Sequence, residues 1–599
     1  MKANSQADRK NLIISWDNFD YSQTVRHQTL RDPSEHISAT TGKLCISHSI
    51  PSKGLVRSMF HPEVILHHSD IYTAAGNQND AVQHQCQRHW IAEAIRYTHR
   101  KAVESLFAVE TGASFSQMKP RVHLIDWPEF PTVNRLQTQK TVDYSLCPML
   151  YNEGTIEGTY KVIENIFLEQ LGDNSDTDFD TRLQLVYGDQ KTVSLINTVK
   201  KQRAEAIRSF DRFSWLLPIP GLFHWRMNYL DMIFDLYSGA DYPTVESTLH
   251  HNKVVLGCVQ GHKSPFHHKE EVAMRSFDAR VTAMFYQFLP STVNRAHSDK
   301  VEDWIGNLGK EKFLDVIDQI RQSLFDPDEQ ISPTEQDSEF DYEFSAHAKF
   351  VQQMEIYKSL KFAIKLGDIG IIRRILAQCC LLFPGTKKSR YSFLSMYMTW
   401  LTQTEAADPE LQTAILANGL VNLRGAEDGW FEIDRLNEFF NLHMKTLVAT
   451  RRTSTQDINT MFRQTALMFR QTALTASFNT SLKQLFEATF GEYSNGRHQQ
   501  KDASEDVRHL AYQISKSIQK RPAGRTEGFQ PPDIISGSLG GKLLTAIENF
   551  NELVVKGRWA GEVDLSGATS TPIAVLEEIE ETEETEETEE AEEAEENEP

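Results

Sequence analysis

The sequence lacks a long hydrophobic run, an apolar leader and paired cysteines, and each absence excludes a class of protein. No window offers about 18 uninterrupted apolar residues, so we predict no transmembrane helix and no membrane association. The first ten residues, MKANSQADRK, contain no apolar segment of the kind that directs secretion. The six cysteines are scattered without a CxxC pair, which argues against a disulfide framework or a cysteine-rich zinc module. We therefore expect an intracellular protein.

Positive charge is also scarce, and the formal net charge is −21. Much of the excess lies in one segment, because residues 577–598 contain 15 glutamates and no basic residue, which leaves −6 for the rest of the chain. Such a repetitive acidic run cannot bury a core. Residues 571–599 are therefore predicted to be a disordered, solubilising tail, and basic patches remain possible elsewhere.

Strand-like segments are present in the first 240 residues. The runs LIISWDNF (12–19) and HISATTGKLCISHSI (36–50) are rich in β-formers, and the second is predicted to turn as a hairpin at Thr41-Gly42. Two further apolar runs, in RLQLVYGDQKT (182–192) and WLLPIPGLFH (215–224), are each followed by a helical pattern. Alternating strands and helices of this kind predict an α/β layer with parallel neighbouring strands.

The remainder of the chain is dominated by helical patterns, interrupted by an acidic, proline-containing stretch at 325–344 that we interpret as an exposed linker. A chain of 599 residues is too long for one core, so several substructures are expected. We predict the first part of an α/β core at 1–240, a large all-α insertion at 241–420, a return helix of the core at 421–480, a helical or irregular extension at 481–570 and the tail at 571–599.

Three acids attract attention by their positions. Asp17 follows the first strand, Asp189 ends a later strand, and Glu438 lies on a helix far downstream. Carboxylates at strand ends and on a flanking helix can converge, and their hard oxygens suit Mg²⁺ or Mn²⁺. Two such ions about 3.5–4 Å apart would support phosphoryl transfer, and the order strand-Asp, strand-Asp, helix-Glu is that of ribonuclease-H-like DDE nucleotidyl transferases.

Each acid also has a purely structural interpretation. Asp17 could be a turn residue, since Asp and Asn favour turns. Asp189 could cap the helix that follows it by accepting hydrogen bonds from the first amide groups. Glu438 could be a solvated residue on an amphipathic helix.

The helix that carries Glu438 has a predicted apolar face of Ile433, Leu436 and Phe440, and the opposite face is lined by Asp434, Glu438, Asn441 and Lys445. Two acids four residues apart on a helix repel each other slightly, and a bound metal would relieve that repulsion.

Two basic segments could contact nucleic acid. Lys200, Lys201, Arg203 and Arg208 follow Asp189 on one predicted helix and could contact a DNA backbone, although a solvated helix face is the alternative. Residues 516–525, KSIQKRPAGR, are predicted to lie outside the core as a flexible DNA-contacting arm.

Four blocks of sequence, in order, resemble an uncharacterised-domain family that is abundant in fungi and has relatives in some animals. They are WDNFDYSQTVRHQT, LVYGDQKT, WLLPIPGLFHWRMN and VNLRGAEDGWFEIDRLNEFFNLHMK, and the resemblance extends from about residue 11 to about 450. That family looks like a transposase-derived ribonuclease-H-like fold in which a helical insertion separates the second Asp from the final Glu. Here 249 residues separate Asp189 from Glu438, in agreement with the predicted helical region.

The resemblance implies that Asp17, Asp189 and Glu438 are the catalytic, metal-binding acids, with Asp20, His224 and Asp434 as accessory residues. It implies a core for Mg²⁺- or Mn²⁺-dependent DNA cleavage and transfer, either active or a domesticated relic, with a nuclear location and DNA as partner. A homo-oligomer is a further expectation. Only ten residues precede the first strand, so we expect no DNA-recognition module there. The alternative is a non-catalytic ribonuclease-H-like scaffold that binds nucleic acid or protein.

Overall fold

The computed structural model describes residues 12–23, 35–51, 54–76, 80–107, 124, 126–173, 176–239, 244–258, 266–325, 340–449, 502–521, 525, 529–532 and 541–554. The acidic tail and most of the predicted linker therefore lie outside the described residues. The boundaries of the five predicted segments stay predictions.

A mixed sheet is built from five strands in the order β3-β2-β1-β4-β5. The strands are β1 (Leu12–Gln23), β2 (Glu35–Ile46), β3 (Asp143–Ser145), β4 (Gln184–Gly188) and β5 (Leu216–Pro220). Strands β1, β2 and β3 pair antiparallel, whereas β4 pairs parallel with both β1 and β5. The predicted parallel strands at 182–192 and 215–224 are thus confirmed, with shorter bounds.

The position of the predicted hairpin is wrong. Thr41 and Gly42 lie in the middle of β2, paired with Asp17 and Trp16 of β1, and the antiparallel pair is β1 with β2. Gly42 is a site of close approach, because a Cβ there would lie 2.8 Å from Leu146 Cδ1. A glycine inside a strand can mark close packing as well as a turn.

Side chains of β1 alternate between two cores, as the period of a strand requires. Ile14 and Trp16 face a core covered by the helices α4 (Ile156–Glu164) and α6 (Gln190–Gln202). Ile13 faces the larger core, which includes most of the helices of the chain. Ser15 and Asp17 therefore point to the same side as Ile13.

The other described helices follow in chain order. They are α1 (His68–Ala75), α2 (Ala81–Thr98), α3 (Arg100–Phe107), α5 (Asp176–Thr181), α7 (Leu222–Tyr237), α8 (Leu249–Val255), α9 (Phe266–Phe285), α10 (Ser298–Leu308), α11 (Lys310–Leu324), α12 (Tyr342–Leu366), α13 (Ile369–Leu382), α14 (Ser389–Gln403), α15 (Pro409–Asn418), α16 (Ile433–Ala449), α17 (Ser504–Ile514) and α18 (Leu543–Val554). None of the described helices is long and apolar enough to cross a membrane.

Helix α16 returns to the sheet after the helical region. A two-stranded ribbon of β6 (Leu420–Val421) and β7 (Phe431–Glu432) leads directly into it. The helix packs on β1, β2, β4 and α7. The strand that leads into it is held by a buried ion pair between Glu432 of β7 and Arg226 of α7, with 2.9 Å between Oε1 and Nη1.

The extension after residue 501 is part of the core where it is described. Helix α17 packs on α9 through Val507, Leu510 and Ile514, all fully buried. The prediction of a flexible arm at 516–525 is wrong at its end, because the Arg525 guanidinium lies 2.7 Å from the Asp341 carboxylate and is largely buried. A basic side chain with a buried acidic partner cannot contact a DNA backbone.

Candidate active site

Asp17 on β1 lies level with Asp189, which directly follows the adjacent parallel strand β4. The register pairs Ile14 with Val186 and Ser15 with Tyr187, so its continuation by two residues brings Asp17 opposite Asp189. Strand β4 ends at Gly188, and Asp189 begins the turn into α6. Asp17 lies inside β1, which continues to Gln23, so the predictions that it follows the first strand or forms a turn are wrong. It lies level with the carboxyl end of β4, which Asp189 follows.

Helix α16 lays polar side chains across this end of the sheet. Asn437 donates a hydrogen bond of 2.6 Å from Nδ2 to Ser15 Oγ. Asn441 donates from Nδ2 to Asp17 Oδ2 at 3.0 Å and to the Asn18 carbonyl at 2.9 Å. The cluster is thus assembled from residues more than 400 positions apart in the chain.

The faces of α16 differ from the prediction. Ile433, Leu436 and Phe440 are buried as predicted, but Asp434 is buried too. The largest exposed side chains of this helix are Phe439 and Leu442. The polar stripe of the helix faces the sheet because carboxyl and amide partners are available there, which amphipathicity alone does not show.

His224 lies between the two acids of α16. Its Nδ1 is 3.2 Å from Asp434 Oδ2 and its Nε2 is 3.4 Å from Glu438 Oε1. Burial would lower the pKa of His224, but hydrogen bonds to Asp434 and Glu438 raise it well above its usual value. A protonated imidazole therefore relieves the repulsion between Asp434 and Glu438, the role expected of a metal.

Asp434 also caps the first turn of α7. Its Oδ2 accepts hydrogen bonds from the amides of Phe223 (2.9 Å) and His224 (3.1 Å). Gly221 permits this approach, because a Cβ there would lie 2.2 Å from Asp434 Oδ2. Asp434 thus positions the helix that carries His224.

The pKa values of Asp17 and Glu438 shift in opposite directions in this environment. Burial raises the pKa of Asp17 well above its usual value, and the negative charges of Glu438, Asp189 and Glu153 raise it further against the influence of His224. Burial also raises the pKa of Glu438, but the hydrogen bond and charge of His224 outweigh it, so that pKa is lowered. Glu438 keeps 40% of its side chain exposed, so a ligand from solvent could reach its carboxylate.

Glu153 is a further acid that sequence reasoning missed. It is buried beside Asp189, with its Oε1 3.3 Å from the Thr192 hydroxyl. Burial and the charge of Asp189 raise the pKa of Glu153 well above its usual value. Glu153 lies in a loop before α4, and no spacing or periodic pattern relates it to Asp189. Asn437 was missed, and Asn441 was placed on the polar face without a partner, because both look like ordinary polar residues of a surface helix.

The structural interpretation of Asp189 as a helix cap is correct. Its Oδ1 accepts a hydrogen bond of 2.6 Å from the Thr192 amide at the start of α6. This contact uses one carboxylate oxygen, so it is compatible with a ligand role for the other. Asp20 is exposed on β1, three residues beyond Asp17, and its predicted role as a neighbouring accessory acid stays a prediction.

The predicted DNA-contact residues do not share one helix. Lys200 directs its ammonium group inward and donates to the Leu216 carbonyl at 2.6 Å, and burial lowers its pKa to about 8. Helix α6 ends at Gln202, so Arg208 lies beyond it and pairs with Asp211 at 2.7 Å. Lys201 and Arg203 are exposed at the end of α6, and Arg203 lies over the Tyr160 ring. DNA contact by these residues stays a prediction.

The cluster contains carboxylates of the kind that bind metal ions, but these carboxylates are not arranged as a metal site. Among the described residues, no group of three or more His, Cys, Asp or Glu side chains is placed so as to hold a metal ion. The carboxylates are instead engaged with His224, Asn441 and the α6 amide. A cation would have to replace some of these contacts.

The comparisons with known proteins give a family and no activity. No curated protein and no solved structure matches the chain. Residues 85–498 match a family of unknown function, a span that includes Asp189, His224, Asp434 and Glu438 and begins after β1 and Asp17. Because this match covers well over half of the sequence, the chain belongs to the family of unknown function DUF6589.

Proposed function

We propose that the sheet and its flanking helices form a ribonuclease-H-like core. Three antiparallel strands followed by two strands parallel to the first, with helices on both faces, are what such a core requires. The return of α16 to β1 and β4 after a long helical region supports the same assignment.

We further propose that this core carries out metal-dependent cleavage and transfer of DNA strands, as a transposase-like or domesticated protein. The observation that carries this proposal is that the Asp17 carboxyl on β1 lies near those of Glu438 on α16 and Asp189 after β4. Burial raises the pKa of Asp17, and the negative charges of Glu438 and Asp189 raise it further. Such a site favours either a proton or a cation.

The donor chemistry fits Mg²⁺ or Mn²⁺. Carboxylate oxygens from Asp17, Asp189 and Glu438 are hard ligands of the kind these ions prefer. A bound divalent ion would supply activation of water or a 3′-hydroxyl group and stabilisation of the leaving oxygen. The residues around the acids have supporting tasks: Asn441 fixes the Asp17 carboxylate, and His224 orients Glu438 from the α7 side.

The proposal is tested by nicking of supercoiled plasmid DNA by the full-length chain with Mg²⁺, Mn²⁺ or EDTA. Asp189→Asn should reduce nicking by about 100-fold or more, since loss of a ligand removes several kcal/mol of transition-state stabilisation. The control is Asp299→Asn at an exposed aspartate in the first turn of α10, which should nick like wild type. Equal nicking by wild type and Asp189→Asn, or no nicking with either ion, would make the enzymatic proposal wrong.

A non-catalytic scaffold is the second candidate function. The observation in its favour is that His224 already bridges Asp434 and Glu438, which leaves no preformed three-ligand site among the described residues. This candidate predicts DNA binding, measured by fluorescence anisotropy, that is equal in EDTA and Mn²⁺ and unchanged in Asp189→Asn. Binding that requires the divalent ion would favour the enzyme instead.

A further inference from the structure

A cavity of about 450 Å³ lies among helices that take no part in the acid cluster. It is formed where α1, the start of α2, α13 and the end of α14 meet. Its polar lining comes from Asp70, Thr73, Asp80, Arg373, Arg374 and Gln403. The volume is within the range of about 300–1,000 Å³ that small-molecule sites occupy.

One of its two arginines is already neutralised. Arg374 Nη1 lies 3.0 Å from Asp80 Oδ2, and the Asp80 Oδ1 accepts a hydrogen bond from the Val82 amide at the start of α2. Gly76 makes room for this guanidinium, because a Cβ there would lie 2.5 Å from Arg374 Nη2. Arg374 and Asp80 therefore form a charge-balanced wall of the cavity.

The other arginine has no acidic partner. Arg373 is half-buried, and no carboxylate pairs with it among the described residues. Its Nε is shielded from solvent and has no hydrogen-bond partner in that part of the chain. Burial accordingly lowers the pKa of Arg373. A partly buried charge without a partner costs free energy that a bound anion would recover.

The second acid of the lining does not supply that partner. The Asp70 carboxylate accepts a hydrogen bond of 2.8 Å from the His67 amide at the start of α1. Since Asp80 is paired with Arg374, the unpaired positive charge of the cavity is that of Arg373.

We propose that this cavity is an oxyanion site in which Arg373 binds a phosphate group. A planar guanidinium presents paired donors that match phosphate oxygens, and Thr73 and Gln403 provide hydroxyl and amide donors in the same cavity. Asp70 faces the same space and weakens the binding of an anion by repulsion. The phosphate group could belong to free phosphate, to a nucleotide or to the end of a nucleic acid strand.

The test is isothermal titration of the full-length chain in EDTA with inorganic phosphate, with a nucleoside monophosphate and with a 5′-phosphorylated single-stranded oligonucleotide. We expect at least one probe to bind, and Arg373→Gln to weaken that binding by about tenfold or more, since a charge-assisted hydrogen bond is lost. Asp70→Asn should tighten binding of the same probe, because it removes a negative charge and keeps an acceptor for the His67 amide. The probe that binds identifies the source of the phosphate group.

The matched control is Arg295→Gln, at an arginine outside the cavity that should leave binding unchanged. Asp70 is only partly buried, so Asp70→Asn remains informative even where Arg373→Gln does not fold. The proposal is overturned when no probe binds at about 10 mM, a concentration at which sites with dissociation constants of about 1 mM are still detected. It is also overturned when neither Arg373→Gln nor Asp70→Asn changes the affinity. EDTA separates this result from the metal-dependent activity.

Discussion

At the scale of single residues, the carboxylates of the cluster already bind His224, Asn441 and the α6 amide, and a metal ion would have to compete with these partners. Sequence reasoning selected Asp17, Asp189 and Glu438 by their positions relative to strands and helices; Asp17 lies inside its strand rather than after it, and the catalytic role of the three stays a prediction. It did not identify Glu153, because no spacing relates that residue to Asp189, and it placed Asn441 on the right helix face without assigning it a partner. It assigned the relief of the Asp434–Glu438 repulsion to a metal, whereas the structure assigns it to His224.

The raised pKa of Asp17 predicts a stability that depends on pH. A carboxyl whose pKa is higher in the folded chain than in the unfolded chain destabilises the fold when it ionises. The penalty is absent below the ordinary pKa of about 3.9 and grows as the pH rises toward the folded value. Asp17→Asn should therefore raise the free energy of unfolding at pH 8 by about 0.5–2 kcal/mol, with a smaller gain at pH 5. Urea denaturation at both pH values measures this difference, and a loss of stability at pH 8 would contradict it.

His224 predicts a dependence on pH of the same sign, since stability again falls as the pH rises, but here the charged form of the group stabilises the fold. Because its pKa is raised in the folded chain, its contribution to stability is fully present below about pH 6.5 and is lost as the pH rises through the folded value. His224→Gln should cost about 1–3 kcal/mol at pH 6, the usual cost of leaving hydrogen-bonded charges unpaired, and less at high pH. Thermal unfolding of the variant between pH 6 and pH 10 tests this, and a cost that does not change with pH would exclude a protonated His224.

At the scale of elements, periodicity located the strands and helices well but not the faces of α16. The parallel strands and the helical region were predictable because apolar runs and helical spacing are local signals. The orientation of α16 was not, since Asn437 and Asn441 are buried against partners on β1 and β2 that lie 400 or more residues away. Gly42 was read as a turn for a related reason, because the close contact with Leu146 is tertiary.

The Arg226–Glu432 ion pair lies directly before α16, and we predict that breaking it lowers the free energy of unfolding strongly. Glu432 is fully buried and its Oε1 lies 2.9 Å from Arg226 Nη1, so Arg226→Met leaves this buried carboxylate with the weaker ion pair to Arg435 at 3.9 Å. We expect a loss of about 3–5 kcal/mol in the free energy of unfolding. The double variant Arg226→Met with Glu432→Met should recover most of that loss, as measured by urea denaturation. A double variant as unstable as the single one would show that the pair holds the fold by more than charge compensation.

At the scale of the whole molecule, the extension after residue 501 contributes to the same core as the helical region. Ile514 and Phe550 are fully buried in it, and the Arg525–Asp341 ion pair joins the extension to the start of α12. The sequence predicted a helical extension but could not show what it packs on, because amphipathicity does not name a partner.

Two truncated chains distinguish the contribution of the extension to stability from that of the acidic tail. A chain that ends at residue 501 loses α17 and exposes the face of α9 that it covers, so we expect aggregation or a lowered thermal midpoint. A chain that ends at residue 570 loses only the glutamate-rich segment, and its thermal midpoint should equal that of the full chain. Light scattering and calorimetry compare the two. An unchanged midpoint for the chain that ends at 501 would contradict the packing of α17.

The central claim is that these acids form a metal site. Its most direct test is titration calorimetry of Mn²⁺ binding to the full-length chain and to Asp17→Asn, at pH 6 and at pH 8. Wild type should bind Mn²⁺ more tightly at pH 8 and release protons as it binds, because the ion replaces the proton that the raised pKa of Asp17 favours. The glutamates of the tail are the same in both chains, so the difference between them reports the cluster. Equal Mn²⁺ binding by wild type and Asp17→Asn at both pH values would contradict the assignment of these acids as a metal site.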